Sequence, residues 1–399
     1  MSEVIDSIRE FNKGLLPDMV KLKYAAMAEN AFRFYRGTCH LFYEDMARAE
    51  AFPKTPLTWT CGDLHIENFG SYRANNGLVY FDLNDFDESI LAPAGWEVVR
   101  AVTSILVAFD ILKISPKKAE KLARLFLTNY AATLVSGKSI SIDPRTAKGI
   151  MHDFLVGAEH NTEKAIVEKT TEKKKDKMVL TLVDEKHLEL KKPLRKALKE
   201  HMQQWIKANL DATAKYKVRD VTFRLAGTGS IGVKRYLFLL RSATGKKGYL
   251  LIDMKQSRPS SVLPYVQAVQ PEWKSDAERI ISVQRRMQNM SAALLSATKF
   301  EKEPYVIQEL QPTKDAINFK LICDRYDEIM QVTNDMAVLT ASAQLRSGGM
   351  NGSAIIDDLK AFGASEHWQE QLLSYAIRYA KKVKQDYKIF CQAVKSKQL

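Results

Sequence analysis

The sequence predicts an α+β protein of two lobes, a small antiparallel β lobe and a larger, mainly helical one. Three observations carry that expectation. Segments in the first half and at the end of the chain repeat apolar residues every three to four positions. Residues 218–256 read instead as strand, glycine loop, strand, turn and strand. Between Cys61 and Ser89 a polar loop and a short apolar strand break the helical pattern. The helical lobe is therefore expected from residues 1–215 and 312–399, and the β lobe from 216–311.

Residues 1 to about 50 keep helical spacing through DMVKLKYAAMAENAFRFYRGTCHLFYEDMARA, interrupted at Gly37. Arg36, beside that glycine, is either a phosphate or carboxylate contact from a fork of donors or a structural ion pair. The loop CGDLHIENFG follows, then Asn76-Gly77, a strong hairpin signal. LVYFDL is the returning strand and brings Asp82 beside the loop. From Pro93, GWEVVRAVTSILVAFDIL is apolar on nearly all sides and belongs in a core. Further helices run through Ala132, with Ser136–Pro144 as a loop. Leu188–Leu210 turns helical after Pro193. Thr244-Gly245 marks a hairpin turn in the β lobe, and Ser275 is the expected N-cap of a helix over SDAERIISVQRRMQNMSAAL.

The chain has 399 residues, enough for two domains or one bilobal unit, and its 46% hydrophobic content supports a packed core. It shows no apolar run of eighteen residues and no leader-like N-terminus, so a cytoplasmic protein without a membrane contact is expected. Cys39, Cys61, Cys323 and Cys391 lack metal-ligand spacing and read as reduced. A net charge of +13 invites a nucleic-acid partner. The densest lysine run, EKAIVEKTTEKKKDK, interleaves acids with lysines, which reads as a solvated helix face or loop. No specific nucleic acid is expected; a positive surface serves an anionic nucleotide equally well.

The spacing within residues 61–89 suits phosphoryl transfer. Asp63 can accept a hydroxyl proton, while Asn68, five residues on, and a carboxylate of the next strand can hold Mg²⁺. Mg²⁺ takes hard oxygen ligands and keeps several waters, so one amide and one carboxylate completed by phosphates suffice. Asp82, Asp85 and Asp87 all offer that carboxylate. His65, inside the loop, reads as a loop-ordering hydrogen bond.

GDLHIENFG resembles the catalytic loop of the aminoglycoside phosphotransferase branch of the protein-kinase-like superfamily, and FDLNDFDES resembles its metal-binding segment. FYRGT, GDLHIENFG and NDFDES together are similar to the DUF2252 proteins, an uncharacterised bacterial family. The resemblance covers most of the chain. It implies ATP and Mg²⁺ as cofactors, Asp63 as base, Asn68 and Asp82 as first-choice metal ligands, and Asp85 as second choice. Where the family commonly has His, position 344 is Gln here, while Arg346 and Gly348 match.

Gly227, Gly229 and Gly232 form G-x-G-x-x-G, a weak signal alone. The strand VKRYLFLL after it excludes the helix that a dinucleotide fold requires. A glycine loop between antiparallel strands, with Ser230 inside it, is how kinases cover ATP phosphates, with a lysine on the third strand. Lys255 is that candidate, Glu278 its candidate partner, and EPYVIQELQ, with Glu309, resembles the strand entering an adenine-gripping hinge. A kinase-like chain places its glycine loop first; here it follows the Asp63 segment, so the fold is expected to be circularly permuted. The expected function is an ATP-dependent phosphotransferase on an unidentified hydroxyl acceptor. The alternatives are a non-catalytic nucleotide-binding module and AMP transfer on the same fold.

Overall fold

The structure, a computed structural model, is described for residues 3–49, 52–160, 163–182, 187–210, 215–242, 248–310 and 316–399. The expected turn at Thr244-Gly245 and the end of the expected strand at Gln311 lie outside these. The N-terminal helical pattern folds as α1 (Glu3–Asn12), α2 (Pro17–Met27), α3 (Ala31–Gly37) and α4 (Cys39–Ala47). Local chemistry sets the breaks: Pro17 starts α2, and Asn30 caps α3 by accepting from the Arg33 amide at 2.9 Å.

Two antiparallel pairs follow. Strand β1 (Leu57–Thr60) is set apart from β4 (Ile90–Pro93), its partner, by the hairpin β2 (Phe69–Arg73) and β3 (Val79–Leu83). Gly62, just after β1, has φ of 82°, and a Cβ there would sit 2.1 Å from the Glu88 carbonyl oxygen. Only glycine lets the two ends of this segment cross so closely.

Helix α5 (Ala94–Ile111) is buried on nearly every side, including Glu97 and Arg100. Helix α6 (Pro116–Ser136) starts at a Ser115 cap and ends at Gly137, φ 64°. After α7 (Gly149–His160) comes the lysine-rich run, and here the structure differs from the expected helix face or loop. Half of it is α8 (Glu163–Thr170); the rest is a hairpin of β5 (Thr171–Lys174) and β6 (Lys177–Leu180), turned through Lys175 and Asp176 at φ 45° and 60°. Val167 and Leu180 explain it: they are buried on a sheet face while the lysines stay in water.

That sheet has the order β11-β12-β10-β9-β8-β7, antiparallel throughout: β7 (His187–Leu188), β8 (Tyr216–Arg224), β9 (Arg235–Ser242), β10 (Tyr249–Gln256), β11 (Ser296–Phe300) and β12 (Glu303–Glu309). Alternation in β9 sends Leu237 and Leu239 to the face covered by Val167 and Leu180, and Phe238 and Leu240 to the other. Helix α9 (Lys192–Asn209) covers the second face with Leu198, Met202 and Trp205. Burying each contributes roughly 1.5–3 kcal/mol, enough to fix α9 to the sheet. The β unit thus recruits α8, β5 to β7 and α9 from before residue 216, where the sequence pattern alone begins it.

Helix α10 (Asp276–Met287) begins at Ser275, whose Oγ accepts from the Glu278 amide at 3.2 Å. Helices α11 (Tyr326–Arg346), α12 (Ile356–Ala364) and α13 (Trp368–Lys395) return to the main core, packing on α5 and α6. The fold is α+β, with 13 α-helices among the described residues. None of those helices is long and apolar enough to cross a membrane.

Candidate active site

The segment after β1 is fixed from below by α5. The Cys61 amide donates to Glu97 at 2.5 Å, and the Ile66 amide to Ser104 at 3.1 Å. Arg100, wholly buried over the Tyr35 ring, donates to Asp63 Oδ1 through Nε at 2.7 Å and through Nη2. Burial pushes the Asp63 pKa above the ordinary aspartate value, against the attraction of Arg100. Asn68 donates its Nδ2 to the Asp63 carbonyl at 2.5 Å. No donor among the described residues reaches its Oδ1. His65 meets Arg36 Nε and the Glu67 amide at 3.2 Å each, and Arg36 also pairs with Glu67. Both side chains order the loop, and burial drives His65 well below the usual histidine range.

Across from this loop, the β8–β9 connection carries the glycines. Gly227 (φ 73°), Gly229 and Ser230 face Asp63 and Asn68 across one cavity of about 330 Å³. Gly232 (φ 96°) does not line it: its carbonyl accepts from the Leu16 amide at 3.0 Å, pinning the loop to the N-terminal segment. Lys255, at the end of β10, lies against Asp87 and 3.7 Å from Asp85. Burial alone would lower its pKa; Asp85 and Asp87 outweigh burial and hold it protonated. Asp85 and Asp87 line the cavity, and Lys255 meets it through them.

Three expected residues stand elsewhere. Asp82 is buried outside the cavity lining, its Oδ2 on Arg346 Nη2 at 3.0 Å and its Oδ1 on the Leu83 amide at 2.9 Å. Glu278 turns back to the Lys274 amide at 2.7 Å and pairs there rather than with Lys255. Glu309 sits in β12 opposite Ile252, its amide on the Ala293 carbonyl at 3.1 Å, away from the cavity wall. Gln344 bonds Glu97 at 3.1 Å and Tyr130, deep in the core.

The cavity also draws Phe11, Lys23 and Arg258, which no motif announces, and Glu88 of the NDFDES motif. Glu88 accepts from the Ser261 amide at 2.5 Å and ties the two lobes together. NDFDES marks the stretch, while the tie from Glu88 to Ser261 spans 173 positions and has no local signature. Arg100 does carry one, as a lone cation in an apolar helix.

The chain matches, over residues 15–393, the family described as an uncharacterized protein conserved in bacteria, DUF2252. It belongs to the DUF2252 family. No curated protein and no solved structure matches it. Among the described residues of this DUF2252 protein, no group of three His, Cys, Asp or Glu is assembled to hold a metal. Mg²⁺ asks for less: Asn68 and Asp85 both line the cavity, and an amide oxygen with a carboxylate suits an ion whose other ligands are phosphate and water.

Behind Phe11, His40 is stacked at 4.0 Å, and neither of its ring nitrogens has a partner among the described residues. Burial, then Lys23 and Arg100, lower its pKa to about 3. The unfolded chain binds that proton near pH 6.5 and the DUF2252 fold refuses it down to about 3. Stability therefore falls as pH drops through this window. His40→Phe keeps the stack and removes the proton site. Relative to wild type, the variant is expected to gain about 3 kcal/mol of unfolding free energy between pH 7 and 4.5, read by urea titration at both.

Proposed function

We propose that this DUF2252 protein is an ATP- and Mg²⁺-dependent phosphotransferase of circularly permuted, protein-kinase-like fold, acting on a hydroxyl acceptor. The observation that carries this reading is one cavity walled by both lobes. Asp63, Asn68 and Asp85 come from the earlier half, Gly227, Gly229 and Ser230 from the later, and Lys255 is held by Asp85 and Asp87 between them. A cavity of about 330 Å³ is of the size that small-molecule sites use.

Bound Mg²⁺ supplies neutralisation of the charge that builds on a transferring phosphoryl group. Asn68 and Asp85 would hold it. Backbone amides of the glycine loop cover the triphosphate, and Lys255 brings a fixed positive charge to its α/β-phosphates. Asp63 orients the acceptor hydroxyl and takes its proton; a pKa raised by burial suits that task. Arg100 fixes the rotamer of Asp63 by occupying Oδ1.

Permutation is supported by the way the late helices complete the early lobe. Arg346 of α11 pairs with Asp82, and the Arg9 guanidinium reaches the Gln398 carbonyl, so the two ends of the helical lobe lie together. Such a fold tolerates relocation of its chain ends.

A thermal-shift series tests the reading. Mg²⁺ with ATP at about 100 times Kd is expected to raise Tm by about 3 °C, with Mg²⁺ alone giving no shift. ATP consumption should release ADP; AMP-transfer chemistry would release pyrophosphate instead. No shift with any nucleotide would refute the proposal.

A further inference from the structure

Among the described residues, two cations in the cavity make no ion pair. Lys23, on α2, is 1% exposed, and among the described residues its Nζ donates only to the neutral amide of Asn12, at 2.9 Å, beside the Phe11 ring. Arg258, half-buried after β10, lines the same cavity, and its guanidinium has no hydrogen bond or ion pair among the described residues. The neighbouring carboxylates are already engaged. Asp63 is taken by Arg100, and Glu88 by Ser260 and Ser261. Arg36, the other cation on this wall, is spent on Glu67.

Two like charges lining one cavity repel each other. A bound anion would offset that cost, because a buried unpaired charge is among the costliest features a fold can carry. The repulsion registers in Lys23, whose pKa burial and then Arg258 lower to about 8. Glu88, then Asp63, act on Lys23 in the opposite sense, which places the proposed base within electrostatic reach of this pair. The groups assigned to the nucleotide are others: the glycine loop on the cavity lining, and Lys255 behind Asp85 and Asp87.

We infer that Lys23 and Arg258 form an anion subsite for the acceptor, so that the acceptor is a hydroxyl compound bearing a phosphate or carboxylate. This rests on the phosphotransferase reading of the same cavity. The guanidinium fork suits a planar or tetrahedral oxyanion, and the lysine adds a point charge at its side. A polycationic acceptor is repelled by the same pair.

Inorganic phosphate is the probe, titrated calorimetrically into the full chain saturated with Mg·ADP at constant ionic strength. Saturable phosphate binding is expected alongside the nucleotide. Arg258→Gln, a half-exposed position that folding tolerates, should weaken phosphate at least about tenfold while Mg·ATP affinity stays within about twofold. Lys23→Met, which keeps the buried volume, should do the same.

Absence of phosphate binding in the wild-type chain that binds nucleotide would overturn the inference and leave the phosphotransferase reading standing. Phosphate displaced by Mg·ADP, with Arg258→Gln weakening both ligands alike, would overturn it too, since the cations would then serve the nucleotide. Phosphate bound and lost in Arg258→Gln, with nucleotide ignored throughout, would keep the anion subsite and sink the phosphotransferase.

Discussion

Asp63→Asn is expected to lower turnover by about a thousandfold while leaving the affinity for Mg·ATP within a factor of two. The choice of substitution matters, because Arg100 is wholly buried and donates to Asp63 Oδ1. An asparagine oxygen still accepts from the guanidinium, so the loop keeps its position while the side chain loses the negative charge that draws the acceptor proton. Facing wholly buried Arg100 with a neutral amide costs about 3 kcal/mol of stability, as at Asp82. Asp63→Ala strips Arg100 of its partner, and breaking a buried pair costs about 3–5 kcal/mol. Its inactivity would not separate lost chemistry from lost structure. Steady-state kinetics with ATP, alongside nucleotide titration and melting of both variants, makes the distinction. Undiminished kcat in a folded Asp63→Asn chain would remove the base assignment, and with it the strongest reason to read catalysis here.

The part of this arrangement visible in the sequence is the part that is local. Asp63 and Asn68 share one loop, Gly227 and Ser230 share another, and Lys255 ends a strand whose apolar run is unmistakable; each follows from spacing over a few residues. What the sequence could not supply is partner choice over long range. Asp82 meets Arg346 across 264 positions, and nothing in LVYFDLNDFDES ranks Asp82, Asp85 and Asp87 as ligands. Glu278 looks like a lysine's partner from its place in a first helical turn, yet the nearby Lys274 amide satisfies it. Lys23 and Arg258 belong to no motif and become neighbours only when the N-terminal segment closes on the glycine loop through Leu16 and Gly232. The hairpin after α8 was hidden because lysines dominate its composition, while two buried apolar side chains decide its structure.

The ranking of the three aspartates yields the second large effect. Asp82 has both oxygens engaged, one by Arg346 and one by the Leu83 amide, and burial raises its pKa as for a side chain kept from water. Asp82→Asn should therefore cost about 3 kcal/mol of stability, because Arg346 is left facing a neutral amide, while Mg²⁺ still strengthens ATP binding. Asp85→Asn should do the reverse. It lies at the cavity and is the more distant of Lys255's two carboxylates, so Asp87 keeps its contact with the lysine and stability falls by less than in Asp82→Asn, although the Asp85 charge also helps to hold Lys255 protonated. The gain in ATP affinity that Mg²⁺ confers should then fall by about tenfold or more, since a hard anionic ligand is lost from an ion that binds through few protein groups. Titrating ATP with and without Mg²⁺ against both variants, with urea unfolding in parallel, gives two readouts that move in opposite senses. If Asp82→Asn abolished the Mg²⁺ effect in a chain of unchanged stability, the carboxylate on Arg346 would be the ligand, and the ion pair would have to open each time the metal enters.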